Sequence, residues 1–361
     1  MKATQQLHDL GQSLWLDDIS RNLLDSGTLK RYVTEFSVTG LTSNPSIFAK
    51  AVKDSTDYDD SISEKLKAGK SGEDLFFDLA IEDLRRAADQ FRPIYDQTKG
   101  IDGWVSLEVS PVLAHDTAGT VAAAKDLHAR AQRPNLFIKI PGTPEGLPAI
   151  EESIFAGIPI NVTLLFSREQ YLAAAAAYMR GIERRIAAGL SADVRSVASL
   201  FISRWDVAVA NKVPEALRNQ LGIAVAKRAH KAYLGLLASS RSQQIKQVGG
   251  QPQRLLFAST GTKDPKASDV MYVTSLAAPD TINTMPEGTL KAFADHGDRG
   301  AIVPLDGSDC EEVLNSFAKA GIDINALANQ LQDEGAKSFV KSWNELMASI
   351  ESKSAALQAV V

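Results

Sequence analysis

The chain has 361 residues, 44% hydrophobic and 23% charged, proportions that exclude disorder as the default and fit a globular protein with a sizeable core. Its 39 Lys and Arg against 44 Asp and Glu give a formal net charge of −5, which argues against a dedicated nucleic-acid binder but leaves room for one basic pocket holding a small anion. A single cysteine, Cys310, excludes an intramolecular disulfide and a multi-thiolate zinc site, and suits a reducing compartment.

The first residues, Met1 to Asp9, contain no apolar stretch of the kind a secretory leader needs. No apolar run approaches the ~18–20 residues of a membrane span, so a cytoplasmic location without a membrane partner is expected. Strands are predicted at 13–17, 37–42, 104–109, 136–140, 159–165, 197–202, 255–259 and 272–276. Several are almost continuously apolar, as parallel strands covered on both faces must be. Helical patterns lie between them, at 78–89, at 219–237 and after the capping box Ser167-Arg168-Glu169-Gln170, which leads into five consecutive alanines, Ala173 to Ala177. Eight strand candidates alternating with helices favour an α/β fold of the (β/α)8 barrel type over an open doubly wound sheet.

Beyond the eighth strand, Ser308-Asp309-Cys310-Glu311 reads as a second capping box opening a helix through Phe317. Phe339, Val340, Trp343, Leu346, Met347 and Ile350 then recur at helical spacing as one apolar stripe. Residues 305–361 are expected as helices packed on the barrel, within a single barrel domain 1–361. A dimer surface is the alternative use of the stripe, so the chain is expected as a monomer or homodimer.

Lys139 is the most informative residue. It stands in Leu136-Phe137-Ile138-Lys139-Ile140-Pro141-Gly142, close to the end of a buried strand. An amine there is either ion-paired or delivered into a cavity, where burial favours the neutral, nucleophilic form. The turn Pro141-Gly142-Thr143-Pro144 follows, as expected where a barrel strand delivers a residue to its C-terminal face. Three other strands carry complementary groups: Asp17 after Leu14-Trp15-Leu16, Glu108 between Leu107 and Val109, and Asn161 with Thr163 two residues on, so that their side chains share a face. A carboxyl among apolar neighbours can exchange protons near neutral pH. Each alone could equally be a cap or a buried ion pair; four such strands together fit a site.

Two segments suit phosphate. Ser199-Leu200-Phe201-Ile202-Ser203-Arg204 ends a strand with a guanidinium able to bind phosphate bidentately. Ser259-Thr260-Gly261-Thr262-Lys263 supplies hydroxyls, a flexible backbone and a cation after the seventh strand, where barrels often bind phosphate. The five histidines show no paired metal spacing, and there is no GxGxxG after a strand, no Walker loop and no GxSxG elbow. No cofactor and no metal are expected.

Two stretches are specific: Val38-Thr39-Gly40-Leu41-Thr42-Ser43-Asn44-Pro45-Ser46-Ile47-Phe48, and Ile138-Lys139-Ile140-Pro141 leading to Asn161-Val162-Thr163-Leu164-Leu165-Phe166-Ser167. On these, and over most of its length from Gln5 to the tail, the sequence resembles the transaldolases, Schiff-base enzymes of the class I aldolase kind in the non-oxidative pentose phosphate pathway, in their longer bacterial form. The resemblance implies sugar-phosphate substrates, with Lys139 as the imine-forming lysine and Asp17 as the acceptor of the C4 hydroxyl proton. It implies Glu108 and Thr163 as holders of a catalytic water. Asn44, Asn161 and Ser199 then bind the dihydroxyacetone hydroxyls, Phe201 lines their pocket and Arg204 binds phosphate.

The chain departs from the shorter members in one respect: where they carry a second phosphate-binding arginine, the candidate here is Lys263, a point charge without a bidentate fork. The segment 281–286 is assigned no role. Two alternatives stand beside this reading. One is a related Schiff-base aldolase that cleaves fructose 6-phosphate without transferring the fragment, whose family uses a tyrosine in place of the general-acid carboxylate. The other is a non-catalytic sugar-phosphate binder, which has no need of Lys139, Asp17 and Glu108 together.

Overall fold

The computed structural model describes residues 1–359, so the last two positions of the expected 1–361 domain lie outside the described residues. Eight strands make one parallel sheet: β1 (Ser13–Asp17), β2 (Val38–Thr42), β3 (Val105–Glu108), β4 (Leu136–Pro141), β5 (Ile160–Leu165), β6 (Ser196–Phe201), β7 (Arg254–Ala258) and β8 (Ile282–Met285). Their order is β2-β1-β8-β7-β6-β5-β4-β3. The sheet curls back on itself, and the two ends meet through Leu41 N–H donating to Trp104 O (2.9 Å) and Gly103 N–H donating to Thr39 O (2.9 Å). Helices connect the strands, giving the expected (β/α)8 barrel with additional C-terminal helices.

The two-residue period of each strand sorts its side chains into two layers. Leu14, Leu16, Ile138, Ile140 and Ile160 belong to the large apolar cluster between strands and helices. Trp15, Phe137, Val197, Leu256 and Ile282 belong to a second cluster, and these strand residues face the barrel interior. There Trp104 stacks on Phe137 (ring centroids 3.9 Å apart) and the Trp15 indole N–H donates to Asp102 Oδ1 at 2.8 Å. The lower barrel is thereby plugged, and polar residues further along the same strands are left for its C-terminal mouth.

The expected strand at 272–276 is a helix, Met271–Ser275, and the eighth strand is Ile282–Met285, inside the segment to which the sequence assigned no role. Local composition pointed to Tyr272-Val273-Thr274, but pairing decides strand identity. Ile282 to Met285 pair in register with Ser13 to Leu16 of β1, while Tyr272 turns inward to donate its hydroxyl to Asp206 Oδ2 at 2.8 Å. The capping box at Ser167 and Gln170 forms as expected. The one expected at Ser308 and Glu311 does not. The helix there is Cys310–Lys319, preceded by Asp309 without a side-chain cap, and Glu311 pairs instead with Arg228.

The apolar stripe lies on the helix Ile324–Gln358, which at ~1.5 Å per residue is about 50 Å long. Phe339, Trp343, Leu346 and Ile350 are buried. The helix packs along Pro45–Asp54, Asp59–Lys67 and Gly72–Gln97 and reaches the end of β5, with Trp343 edge-on to Phe76 at 5.2 Å. It therefore runs across the C-terminal mouth of the barrel.

Gly40 in β2 is required by a close approach: a Cβ there would lie 2.7 Å from both Trp104 O and Trp15 Nε1. Gly40→Ala is expected to cost about 1–3 kcal/mol through overpacking, read as a lowered urea midpoint with an unchanged slope.

Candidate active site

Parallel register sets Lys139 opposite Glu108 on one side and Asn161 on the other. These three residues form one inward-facing level of the barrel, and Asp17 pairs with Thr42 at the neighbouring strands. Lys139 is 4% exposed. Its Nζ donates to Ser43 O at 3.0 Å and lies 3.2 Å from Glu108 Oε2. That ion pair is close but poorly aligned for a hydrogen bond, and both Glu108 oxygens are without a hydrogen-bond partner. The hydroxyl of Thr163, fully buried on β5, is also unpartnered.

The two carboxyls differ in surroundings. Asp17 is half-buried at the mouth and accepts from the Thr42 hydroxyl at 2.7 Å. Burial pushes its acid upward, and Lys139, Thr42 and Lys263 pull it partway back. Glu108 is raised by burial as well, against the pull of Lys139. In both carboxyls burial is the larger effect and the neighbouring cation opposes it. Asn161 is oriented through both ends of its amide: Nδ2 donates to Ser106 Oγ at 3.1 Å, and Oδ1 accepts from Ser199 Oγ at 2.7 Å.

A cavity of about 130 Å3 opens above this level. Asp17, Asn44, Lys139, Thr163, Ser199 and Phe201 line it, and Arg204 and Lys263 stand at its rim. Of the ten residues singled out in the sequence, only Glu108 and Asn161 are not in its wall, and both touch residues that are. Asn44 has a second duty. Its side chain caps the helix Pro45–Asp54, accepting from Ile47 N–H at 3.1 Å. Arg204 has no hydrogen-bond or ion-pair partner among the described residues. Its guanidinium lies 5.1 Å from the Phe201 ring and 5.7 Å from the Phe339 ring. Burial weakens its hold on the proton, an effect only partly offset by Glu108 and Glu334. A guanidinium left unpaired in such a wall is suited to an anion. Lys263 is exposed beside it.

The sequence reading missed three features of this site. Thr42 and Thr284 share a hydrogen bond (2.8 Å) between β2 and β8, and Thr284 went unseen because β8 itself was misplaced. The Ser43 carbonyl holds the lysine, and a backbone acceptor leaves no signature in side-chain identity. Phe339 lies with its ring 5.8 Å from Lys139 Nζ; in the sequence it is one apolar position in a stripe, with nothing to separate it from core.

Fold and site together define a (β/α)8 enzyme. The family model described as transaldolase/fructose-6-phosphate aldolase matches residues 14–350. The transaldolase of Saccharopolyspora erythraea is 46% identical over 353 residues, covering 96% of each chain. Those of Arthrobacter sp. (43% over 357 residues, 96% of each chain) and Thermobifida fusca (44% over 352 residues, 95% of this chain and 96% of that one) are similarly close. The chain belongs to the transaldolase/fructose-6-phosphate aldolase family, and it is an enzyme of the transaldolase type.

Asp18, next to Asp17, is pushed up to about 6 by burial, with repulsion from Glu287 and Asp17 adding to it. A carboxyl raised in the folded state favours folding below its unfolded value of 3.8, and that contribution is lost as pH rises through about 6. Asp18→Asn is therefore expected to raise the melting temperature relative to the parent more at pH 8 than at pH 4. Equal differences at both pH values would contradict the assignment.

Proposed function

We propose that the enzyme transfers a dihydroxyacetone unit from sedoheptulose 7-phosphate or fructose 6-phosphate to glyceraldehyde 3-phosphate or erythrose 4-phosphate, through an imine on Lys139. The observation that carries this reading is a buried amine between two raised carboxyls, with two cations on the rim of the same cavity.

Lys139 Nζ, giving up a proton to Glu108, attacks the ketone carbon. The carbinolamine loses water, and the protonated imine becomes the electron sink. Glu108 and Thr163 hold the water that relays these protons; three buried oxygens without hydrogen-bond partners suit such a role. Asp17 takes the C4 hydroxyl proton as the C3–C4 bond breaks; C4 leaves as the aldehyde of the shortened sugar phosphate, and the electron pair of the broken bond moves into the imine to give an enamine. Adding that enamine to the acceptor aldehyde and hydrolysing the new imine reverses the sequence. Asn44, Asn161 and Ser199 bind the dihydroxyacetone hydroxyls, and Phe201 closes their pocket. Arg204 and Lys263 bind phosphate, and this remote anchoring holds the ketone carbon near the amine. The imine supplies the electron sink, so the scheme calls on no cofactor or metal.

The barrel and residues 305–361 act as one catalytic unit in the cytoplasm, as a monomer or homodimer. Nucleic acid is not a partner, in keeping with the charge of −5. No helix among the described residues is long and apolar enough to cross a membrane.

The transfer is tested in a coupled assay of fructose 6-phosphate with erythrose 4-phosphate. Sedoheptulose 7-phosphate should form, and Glu108→Gln should lower kcat by about 10²–10⁴-fold, the usual worth of a positioned acid–base group. Rapid release of free dihydroxyacetone without an acceptor would contradict transfer and favour simple cleavage.

A further inference from the structure

The helix Ile324–Gln358 does more than cover the mouth. Gln332 is 8% exposed, and its side-chain Nε2 donates to two backbone carbonyls, Gly142 O at 3.0 Å and Leu164 O at 2.9 Å. Gly142 directly follows β4, three residues after Lys139; Leu164 directly follows Thr163 in β5. The two strand ends are themselves joined, Gly142 N–H donating to Thr163 O at 2.8 Å.

Leu164 is also where β5 departs from regularity. It is fully buried with φ of 57°, in the left-handed region that a branched side chain rarely adopts. The register between β5 and β6 shifts between Val162 and Leu165. Such a backbone persists only where its surroundings hold it, and the Leu164 carbonyl, turned out of the ladder, is satisfied by Gln332.

The same helix face continues toward the site. Three residues on, Gly335 lets the helix lie close, since a Cβ there would sit 2.9 Å from Leu164 Cδ2 and 3.2 Å from an Arg204 guanidinium nitrogen. Seven residues on, Phe339 reaches Lys139 and Arg204.

We infer that Gln332 is a positioning residue for the reaction: its amide clamps the ends of β4 and β5 beneath the last helix and so sets the placement of Lys139 and Thr163. The inference rests on the imine reading of Lys139. Gln332 touches no reacting atom. Removing its two donors frees the bulge at Leu164, and displacement of a reacting group by about 1 Å can cost about 10²-fold in rate.

The test is single-turnover borohydride trapping with fructose 6-phosphate on the full chain, with KM measured in parallel. Gln332→Met keeps side-chain length but donates nothing. It should lower the trapping rate about 10–100-fold while KM stays within about threefold. Gln332→Asn keeps the donors but falls short of spanning both carbonyls, and should give an intermediate loss; it carries the test if the Met variant does not fold. Gln330→Met, on the exposed side of the same helix, should trap at the parental rate. Parental trapping by the Gln332 variants, with only a lowered melting temperature, overturns the inference and leaves the imine reading intact. A parent that forms no adduct overturns both.

Discussion

Everything at the mouth depends on one constraint, the parallel register that puts Glu108, Lys139 and Asn161 side by side on adjacent strands. In a barrel a slip of one residue would turn each of these side chains out into the helix layer. It would also drive Phe137 out of the interior, where it stacks on Trp104. The aromatic plug below and the polar level above are thus set by the same alternation. Large apolar side chains fix the register from below, and the charged pair occupies what they leave. Breaking a buried ion pair by removing one partner commonly costs about 3–5 kcal/mol, so the Lys139–Glu108 contact is not a neutral ornament on the barrel.

The pair is built differently from a structural ion pair elsewhere in the chain. Lys139 Nζ and Glu108 Oε2 are 3.2 Å apart, yet the carboxylate makes no hydrogen bond. Well-built structural ion pairs satisfy their remaining oxygens, as Asp83 does here by accepting from both Arg21 and Tyr58. The contrast within one chain is informative: the same kind of buried charge is saturated near the barrel's outside and left under-satisfied at its mouth. Phe339 from the last helix completes the surroundings by bringing an apolar ring against both Lys139 and Arg204. The ring covers the mouth of the pocket on the side of the last helix.

Much of this was legible in the sequence because parallel barrel strands are apolar on both faces, so that a single Lys, Glu or Asn within such a run stands out. Lys139 in Phe-Ile-Lys-Ile-Pro is the plainest case, and the run predicted a strand that β4 matches to one residue. β8 failed for the opposite reason. Its four residues include Asn283 and Thr284, and only pairing with β1 and β7 makes them a strand, whereas Tyr272-Val273-Thr274 has strand composition but packs as a helix. Phe339 and Gln332 were illegible as site elements. Nothing local marks which turn of a 35-residue helix crosses the barrel mouth, and that is settled by long-range packing against Pro45–Asp54 and β5. Arg204 could be picked out as a candidate phosphate ligand, but its having no partner among the described residues is a property only of the folded chain.

The central claim is that the Lys139 amine becomes covalently joined to the substrate ketone. The most direct measurement is borohydride reduction in the presence of fructose 6-phosphate, followed by peptide mass spectrometry. The account predicts one adduct of dihydroxyacetone size on the peptide containing Lys139, absent in Lys139→Met. No adduct on folded protein, or an adduct on another lysine, would contradict it.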